Sequence, residues 1–181
     1  LYPNNTVENE KHIILNYIFL RNKYICNVNN YMRAIIQRVS NAKVDIKNET
    51  FSSIREGFLV LLGICTDDGE EDIKWLVRKL VGLRVFSDEN EKMNLSIKDV
   101  SGEFLVISQF TLFASTKKGN RPSFLNAAKP DVAIPLYERF VKLLQNESNL
   151  VVKTGIFAAD MKVSLLNDGP VTIIIDSKNR E

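Results

Sequence analysis

Phe58-Leu59-Val60-Leu61-Leu62-Gly63-Ile64-Cys65-Thr66-Asp67-Asp68-Gly69 changes character part-way, and that change decides the fold. The unbroken apolar run from Phe58 to Ile64 suits a strand buried on both faces. Thr66-Asp67-Asp68-Gly69 then breaks the run and opens a helix, with acidic residues where the helix dipole favours them. Ile73, Leu76, Val77 and Leu80 follow at i, i+3, i+4 and i+7, and the same helix carries Trp75, the only tryptophan.

Working outward, Ala34–Val39 and Ala42–Ile46 read as two short strands joined at Ser40-Asn41. After the helix, Arg84-Val85-Phe86 is extended and residues 87–93 form a polar loop. Glu103–Phe110 is strand-like. A second long helix is expected from an N-cap near Asp131, with Pro135 tolerated in its first turn. Leu150–Lys153, Met161–Leu166 and Val171–Asp176 close the chain as strands, with residues 167–170 as the turn between the last two. Strands outnumber helices and cluster at both ends. This predicts an α/β domain of mixed α+β character, not a regular βαβ series.

Residues 1–31 differ from the rest. They hold Tyr2, Tyr17, Tyr24 and Tyr31 of the five tyrosines, the only histidine (His12), and eight Asn. The apolar stretch Ile13–Leu20 is short, broken by Asn16, and followed by no small-residue cleavage site, so it is a poor signal segment. Asn4-Asn5-Thr6 matches a glycosylation acceptor, but nothing else points to secretion. We expect residues 1–31 to be a disordered or spurious leader and residues 32–181 to be the functional domain, starting at Met32.

The whole chain has 181 residues, 45% of them hydrophobic, and a net charge of +2. That size fits one domain. The mild charge neither requires nor excludes a nucleic-acid partner. Two cysteines, Cys26 and Cys65, cannot build a disulfide framework, so a reducing, cytoplasmic setting is expected. No apolar run approaches a membrane span. With His12 as the sole histidine, the domain has no Ser-His-Asp triad, no Cys-His pair and no His-based zinc site. No carboxylate pair or ligand-like cluster calls for a metal, and no glycine-rich phosphate loop is present, so no cofactor is expected.

Three stretches carry candidate chemistry. Ser108-Gln109-Phe110-Thr111-Leu112 ends an apolar strand and offers hydroxyls, an amide and backbone N–H groups. Spacing alone does not separate it from an ordinary strand with Ser and Thr on its polar face. The cations Lys117, Lys118 and Arg121 sit on a loop with Gly119, suited to phosphates or simply to solvent. Asn167-Asp168-Gly169-Pro170-Val171-Thr172 reads first as a turn, with the oddity of a proline directly before a β-branched strand. Cys65 reads as a small buried hydrophobe.

Together, Met32-Arg33-Ala34-Ile35-Ile36-Gln37-Arg38-Val39, Ser108-Gln109-Phe110-Thr111-Leu112, Lys118-Gly119-Asn120-Arg121-Pro122 and Asn167-Asp168-Gly169-Pro170-Val171-Thr172 resemble the D-aminoacyl-tRNA deacylase family, in order, from Met32 to about Asp176. The resemblance implies two packed mixed or antiparallel sheets with two main helices in three layers. It implies a homodimer with its active site at the dimer interface. It implies hydrolysis of the ester between a D-amino acid, or glycine, and the terminal adenosine of tRNA. Gly169 and Pro170, cis in the family, would enter the partner's site and exclude an L side chain, braced by Arg38. Ala127, Phe157 and Met161 match pocket positions. Gln109 and Phe110 would supply backbone donors for an oxyanion, and the ribose 2′-OH the proton relay. Thr111 is a nucleophile candidate by position, without an evident activating base. Lys117, Lys118 and Arg121 would meet tRNA. One departure is Phe157-Ala158-Ala159, where the family usually has Gly in the middle position. Competing readings are an esterase acting directly through Ser108 or Thr111, a tRNA-binding dimer without turnover, and a plain structural oligomer.

Overall fold

The computed structural model describes residues 31–180. The leader expected over residues 1–31 therefore lies outside the described residues, apart from Tyr31. Eight strands and two α-helices follow in the order β1 (Arg33–Ile46), β2 (Glu49–Ile54), β3 (Gly57–Gly63), α1 (Glu70–Gly82), β4 (Arg84–Ser87), β5 (Met93–Ser96), β6 (Glu103–Ser108), α2 (Pro130–Ser148), β7 (Val152–Thr154) and β8 (Lys162–Asp176). A 3₁₀ turn at Phe110–Phe113 follows β6. The fold is mixed α/β, as expected.

One six-stranded sheet runs β2-β1-β3-β6-β7, with β8 on the other side of β1, while β4 and β5 form a small separate ladder. β3 and β6 are parallel, as are β6 and β7, and β1 is antiparallel to β2, β3 and β8. β3 is the apolar run read from the sequence. Its Phe58, Leu59, Val60 and Leu62 are all buried, because both faces of the central strand are covered.

The expected break at Ser40-Asn41 is absent. β1 is one strand, and its register against β8 slips between Gln37 and Asn41. The slip is a bulge, which spends polar residues without turning the chain. It also exchanges faces. Ala34 and Ile36 join the core beneath the helices, whereas Val39, Ala42 and Val44 join a second core with Ile54, Leu59, Leu105 and Ile107. The far halves of β1 and β2 thus fold over the sheet face opposite the helices, and Ser52 Oγ donates to the Thr154 carbonyl at 2.7 Å.

β2 has no counterpart in the sequence reading. Its Glu49-Thr50-Phe51-Ser52-Ser53-Ile54 is mostly polar and exposed. It forms because Lys47 and Asn48 take φ of 52° and 66°, the two-residue turn that reverses a twisted hairpin.

α1 starts where the sequence predicts, with the Gly69 N–H donating to Asp72 Oδ2 at 3.0 Å. Its Ile73, Leu76, Val77 and Leu80 are buried against α2 and the sheet. α2 starts earlier than expected. Lys129 is its cap and Pro130 its first residue, a place where proline sacrifices no bond. Pro135 therefore lies inside the helix, beyond the first turn. Asp131 serves in the first turn, where its charge suits the dipole.

The expected turn at residues 167–170 is also corrected. β8 continues straight along β1 on both sides of it, pairing Asn167 with Val39 and Thr172 with Gln37. Residues 168–171 loop out of the ladder opposite Arg38. The Asn167 side chain closes the base of the excursion, accepting from the Val171 N–H at 2.9 Å and donating to Thr172 Oγ1 at 3.2 Å. No helix among the described residues is long and apolar enough to cross a membrane.

Candidate active site

A cavity of about 630 Å³ opens at the carboxyl end of β6. Ser108, Gln109 and Phe110 form one wall, Phe124 and Ala127 a second, Lys129 and Pro130 at the start of α2 a third, and Phe157–Met161 the fourth. Several local features bring these remote segments together. The Ala128 N–H donates to the Ile64 carbonyl at 2.9 Å, and Ala127 bridges Cys65, which pins that loop to the end of β3. Phe110 and Phe124 meet edge to face at 5.1 Å. Phe157 meets Tyr137 of α2 at 6.3 Å, and the buried Tyr137 hydroxyl donates to the Val106 carbonyl at 2.7 Å.

The 3₁₀ turn is seated on β3 at Gly63. A side chain there would put its Cβ 2.9 Å from Phe113 Cε2 and 3.2 Å from Leu112 Cβ. The Gln109 N–H is not available to a ligand, since it donates to the Leu62 carbonyl at 2.8 Å. The Gln109 side-chain amide donates to Thr111 Oγ1. The first N–H groups of the turn, on Phe110 and Thr111, have no carbonyl one turn back to bond. Free main-chain donor capacity at this end of the cavity therefore falls to Phe110, which lines it, and to Thr111 beside it, not to the Gln109 N–H.

Ala158 takes φ of 61°, the left-handed conformation that the usual glycine would adopt without strain. The methyl departure is thus accommodated in the same backbone shape.

The three cations of the basic loop lie on the segment that runs into Phe124 of the cavity wall. The Ser115 N–H donates to the Ser123 carbonyl at 2.8 Å and the Ser123 N–H to the Ser115 carbonyl at 2.9 Å, which closes the loop at its base. Lys117, Lys118 and Arg121 line a smaller hollow of about 260 Å³ with Leu125 and Asn126, next in the chain to Phe124. None of the three has a carboxylate partner among the described residues.

Gly169 and Pro170 do not line the cavity of their own chain. They project from β8, exposed, joined by a cis peptide bond. Arg38, with its side chain 8% exposed, donates to the Asp168 carbonyl at 3.1 Å, pairs with Asp168 Oδ2 at 3.1 Å and donates to the Val85 carbonyl. The same β8 edge exposes Val163, Leu165, Leu166 and Ile174.

Residues 35–176 match the family model described as D-Tyr-tRNA(Tyr) deacylase. The chain belongs to that family. Proteins called D-aminoacyl-tRNA deacylase from Flavobacterium johnsoniae and Bacteroides thetaiotaomicron are 60% and 59% identical to it over 150 residues, covering 83% of this chain and 100% of each relative. A solved structure titled c-Myc DNA Unwinding Element Binding Protein is 40% identical, with a TM-score of 0.76 over 80% of this chain and 98% of that one. A structure of a probable eukaryotic D-amino acid tRNA deacylase is 16% identical with a TM-score of 0.68, covering 80% and 98%, and shares the fold.

Within this family member, Ser108, Gln109, Phe110, Ala127, Phe157 and Met161 share one cavity. Thr111 stands beside it. Arg38, Gly169 and Pro170 form a separate projecting element. Sequence reading missed Phe124, Lys129 and Pro130 as lining residues. Only the tertiary return of the 114–130 loop to the end of β3 puts them there.

Proposed function

We propose that this chain hydrolyses the ester between a D-amino acid and the terminal adenosine of tRNA, as a homodimer. The observation that carries the reading is the partly apolar cavity at the 3₁₀ turn, lined by Phe110 and without histidine, with the unbonded N–H groups of Phe110 and of Thr111 beside it at the start of that turn. Such donors stabilise the oxyanion that forms when an ester carbonyl is attacked, an effect worth about 3–4 kcal/mol per donor in other hydrolases. Water adds to the carbonyl carbon, the bond to the ribose 3′ oxygen breaks, and the neighbouring 2′-OH relays the proton to the leaving oxygen. The protein then needs no imidazole.

The projecting Gly169–Pro170 and the apolar β8 edge around Val163, Leu165, Leu166 and Ile174 fit a second copy of the chain. In that dimer the excursion of one subunit enters the cavity of the other. Its carbonyl oxygens would stand where an L side chain must go. Exclusion discriminates hands better than attraction to one methyl, which gives only about 1–3 kcal/mol. Glycine has no side chain to exclude, so glycyl-tRNA is also a substrate. Lys117, Lys118 and Arg121 bind the tRNA phosphates beside the cavity. The enzyme acts in the cytoplasm, where aminoacyl-tRNA is made, and needs no cofactor.

A tRNA-binding dimer without turnover has two observations in its favour, the DNA-binding title of the 40% identical structure and the loop cations that have no carboxylate partner among the described residues. One experiment separates the two. The full chain and a chain starting at Met32 are given D-Tyr-tRNA and L-Tyr-tRNA. Hydrolysis of the D ester alone supports the deacylase. Tight tRNA binding with no hydrolysis by either chain supports the binding module.

A further inference from the structure

We infer that Arg33 is a positioning residue for the reaction, holding the 3₁₀ turn that presents Phe110 to the cavity with Thr111 beside it. The inference rests on reading that turn as the ester-carbonyl site. Arg33 opens β1, opposite Gly63 of β3 on one side and Asp176 of β8 on the other. Its guanidinium forks onto Asp176, with Nε donating to Oδ1 at 2.7 Å and Nη2 to Oδ2 at 3.1 Å. The remaining nitrogen, Nη1, donates to the Leu112 carbonyl at 3.0 Å, and the group lies 5.9 Å from the centre of the Phe113 ring.

The Leu112 carbonyl needs this donor. Continuing the 3₁₀ turn would give it the Ser115 N–H, but that group is committed to the Ser123 carbonyl. At its two ends the turn is closed by long or single bonds, from the Leu112 N–H to the Gln109 carbonyl at 3.3 Å and from the Ala114 N–H to the Thr111 carbonyl at 3.0 Å. Thr111 is exposed and Phe110 is half-exposed, packed edge to face on Phe124, so packing alone restrains the turn weakly. Gly63 gives the turn a place to lie, and Arg33 gives it a polar tie. Because Asp176 ends the strand that also carries Gly169 and Pro170, the same guanidinium fixes the turn relative to that strand. Lysine can replace it only in part, since a single ammonium does not offer a planar fork to a carboxylate while reaching a carbonyl on its far side.

The test uses the full chain carrying Arg33→Met, Arg33→Lys, Asp176→Asn, or Arg33→Met with Asp176→Asn. Misplacing donors by a fraction of an ångström lowers kcat, and we expect Arg33→Met to lose about tenfold to hundredfold in kcat on D-Tyr-tRNA with KM changed less than about threefold. Arg33→Lys recovers part of the loss, and the double variant is no worse than the worse single one. Amide hydrogen exchange provides a readout independent of turnover. The Leu112 and Ala114 amides exchange faster in Arg33→Met, while those of β3 and β6 keep their parent rates. Unchanged exchange at Leu112 and Ala114, an unchanged kcat in an active enzyme, or a uniform rise of exchange across the sheet overturns the inference. A parent chain inactive on D-Tyr-tRNA would instead overturn the proposed function, and the exchange pattern would still judge the tie itself.

Discussion

Arg38 Nε lies 3.1 Å from the carbonyl oxygen of Asp168, so a buried cation in the middle of β1 holds the base of the exposed Gly169–Pro170 excursion. Gly169 is caught between that cation and the Val171 side chain. It takes φ of +124°, and a Cβ there would lie 2.8 Å from Val171 Cγ2 and 2.9 Å from Arg38 Nη2. Gly169→Ala therefore meets both backbone strain and a clash, at a cost of about 1–3 kcal/mol. We expect a melting temperature lower by about 3–10 °C and a weakened preference for D-Tyr-tRNA over L-Tyr-tRNA. A thermal melt and paired deacylation assays check this. Parent-like values in both would show that the excursion neither braces nor selects.

Cys65 has no chemical role in this scheme, and its environment says why. Burial, with the neighbouring Asp68 carboxylate as the second cause, pushes its thiol up to about 12. A folded value above the unfolded one, about 8.5, means the neutral thiol stabilises the fold fully below that pH. The contribution is lost as pH climbs from there toward 12. Iodoacetamide at pH 8 should leave Cys65 unmodified in the native protein and label it in denaturant, as followed by peptide mapping. Cys65→Ala should lose less stability than the parent between pH 8 and 11. Rapid native labelling would instead mark Cys65 as a reactive thiol.

What the sequence could reveal was set by how local each signal is. β3 and α1 were legible because an unbroken apolar run and a 3.6-residue stripe are written in consecutive residues. β2 was not, because its order comes from the Lys47-Asn48 turn and from pairing with β1, not from its own polar residues. Ser40-Asn41 and residues 167–170 were legible as irregularities but not as bulges. A bulge and a turn use the same residue types, and only the partner strand decides whether the chain reverses. The same limit applies to the cavity. Ser108–Phe110 stood out at a strand end, whereas Phe124 and Lys129 reach it only through the long loop between β6 and α2.

Ala158 offers a stabilising substitution. An L residue in the left-handed region costs about 1–2 kcal/mol, which glycine avoids while losing some of it to greater unfolded-state freedom. Ala158→Gly should raise stability by about 0.5 kcal/mol, or roughly 1–2 °C in melting temperature, with deacylation unchanged. A lower melting temperature would mean that the methyl contributes more by packing at the cavity wall than its backbone costs.

Thr111 tests how the ester is attacked. Its hydroxyl accepts from the Gln109 side-chain amide, and no base among the described residues is hydrogen-bonded to it to take its proton. A serine or threonine nucleophile needs such a base. Thr111→Ala removes one neutral hydrogen bond, worth about 1 kcal/mol, so kcat/KM should fall no more than about fivefold. Loss of a thousandfold or more, with the fold intact, would make Thr111 the nucleophile and displace water from that role.

The basic loop should act on binding and leave the chemistry alone. Lys117, Lys118 and Arg121 stand outside the main cavity, so under the proposed function their charge would meet the phosphates of the tRNA end rather than the ester. Each phosphate contact to a single strand adds about 0.7 to the slope of log affinity against log salt. Replacing all three with alanine should lower that slope by as much as about 2 and raise KM at physiological salt, while kcat on saturating D-Tyr-tRNA stays within about twofold. Small D-aminoacyl esters, which carry no phosphate, should show the same KM with parent and variant. A salt slope untouched by the triple substitution would move tRNA binding to another face of the protein. A fall in kcat with KM unchanged would instead place the loop in contact with the reacting end.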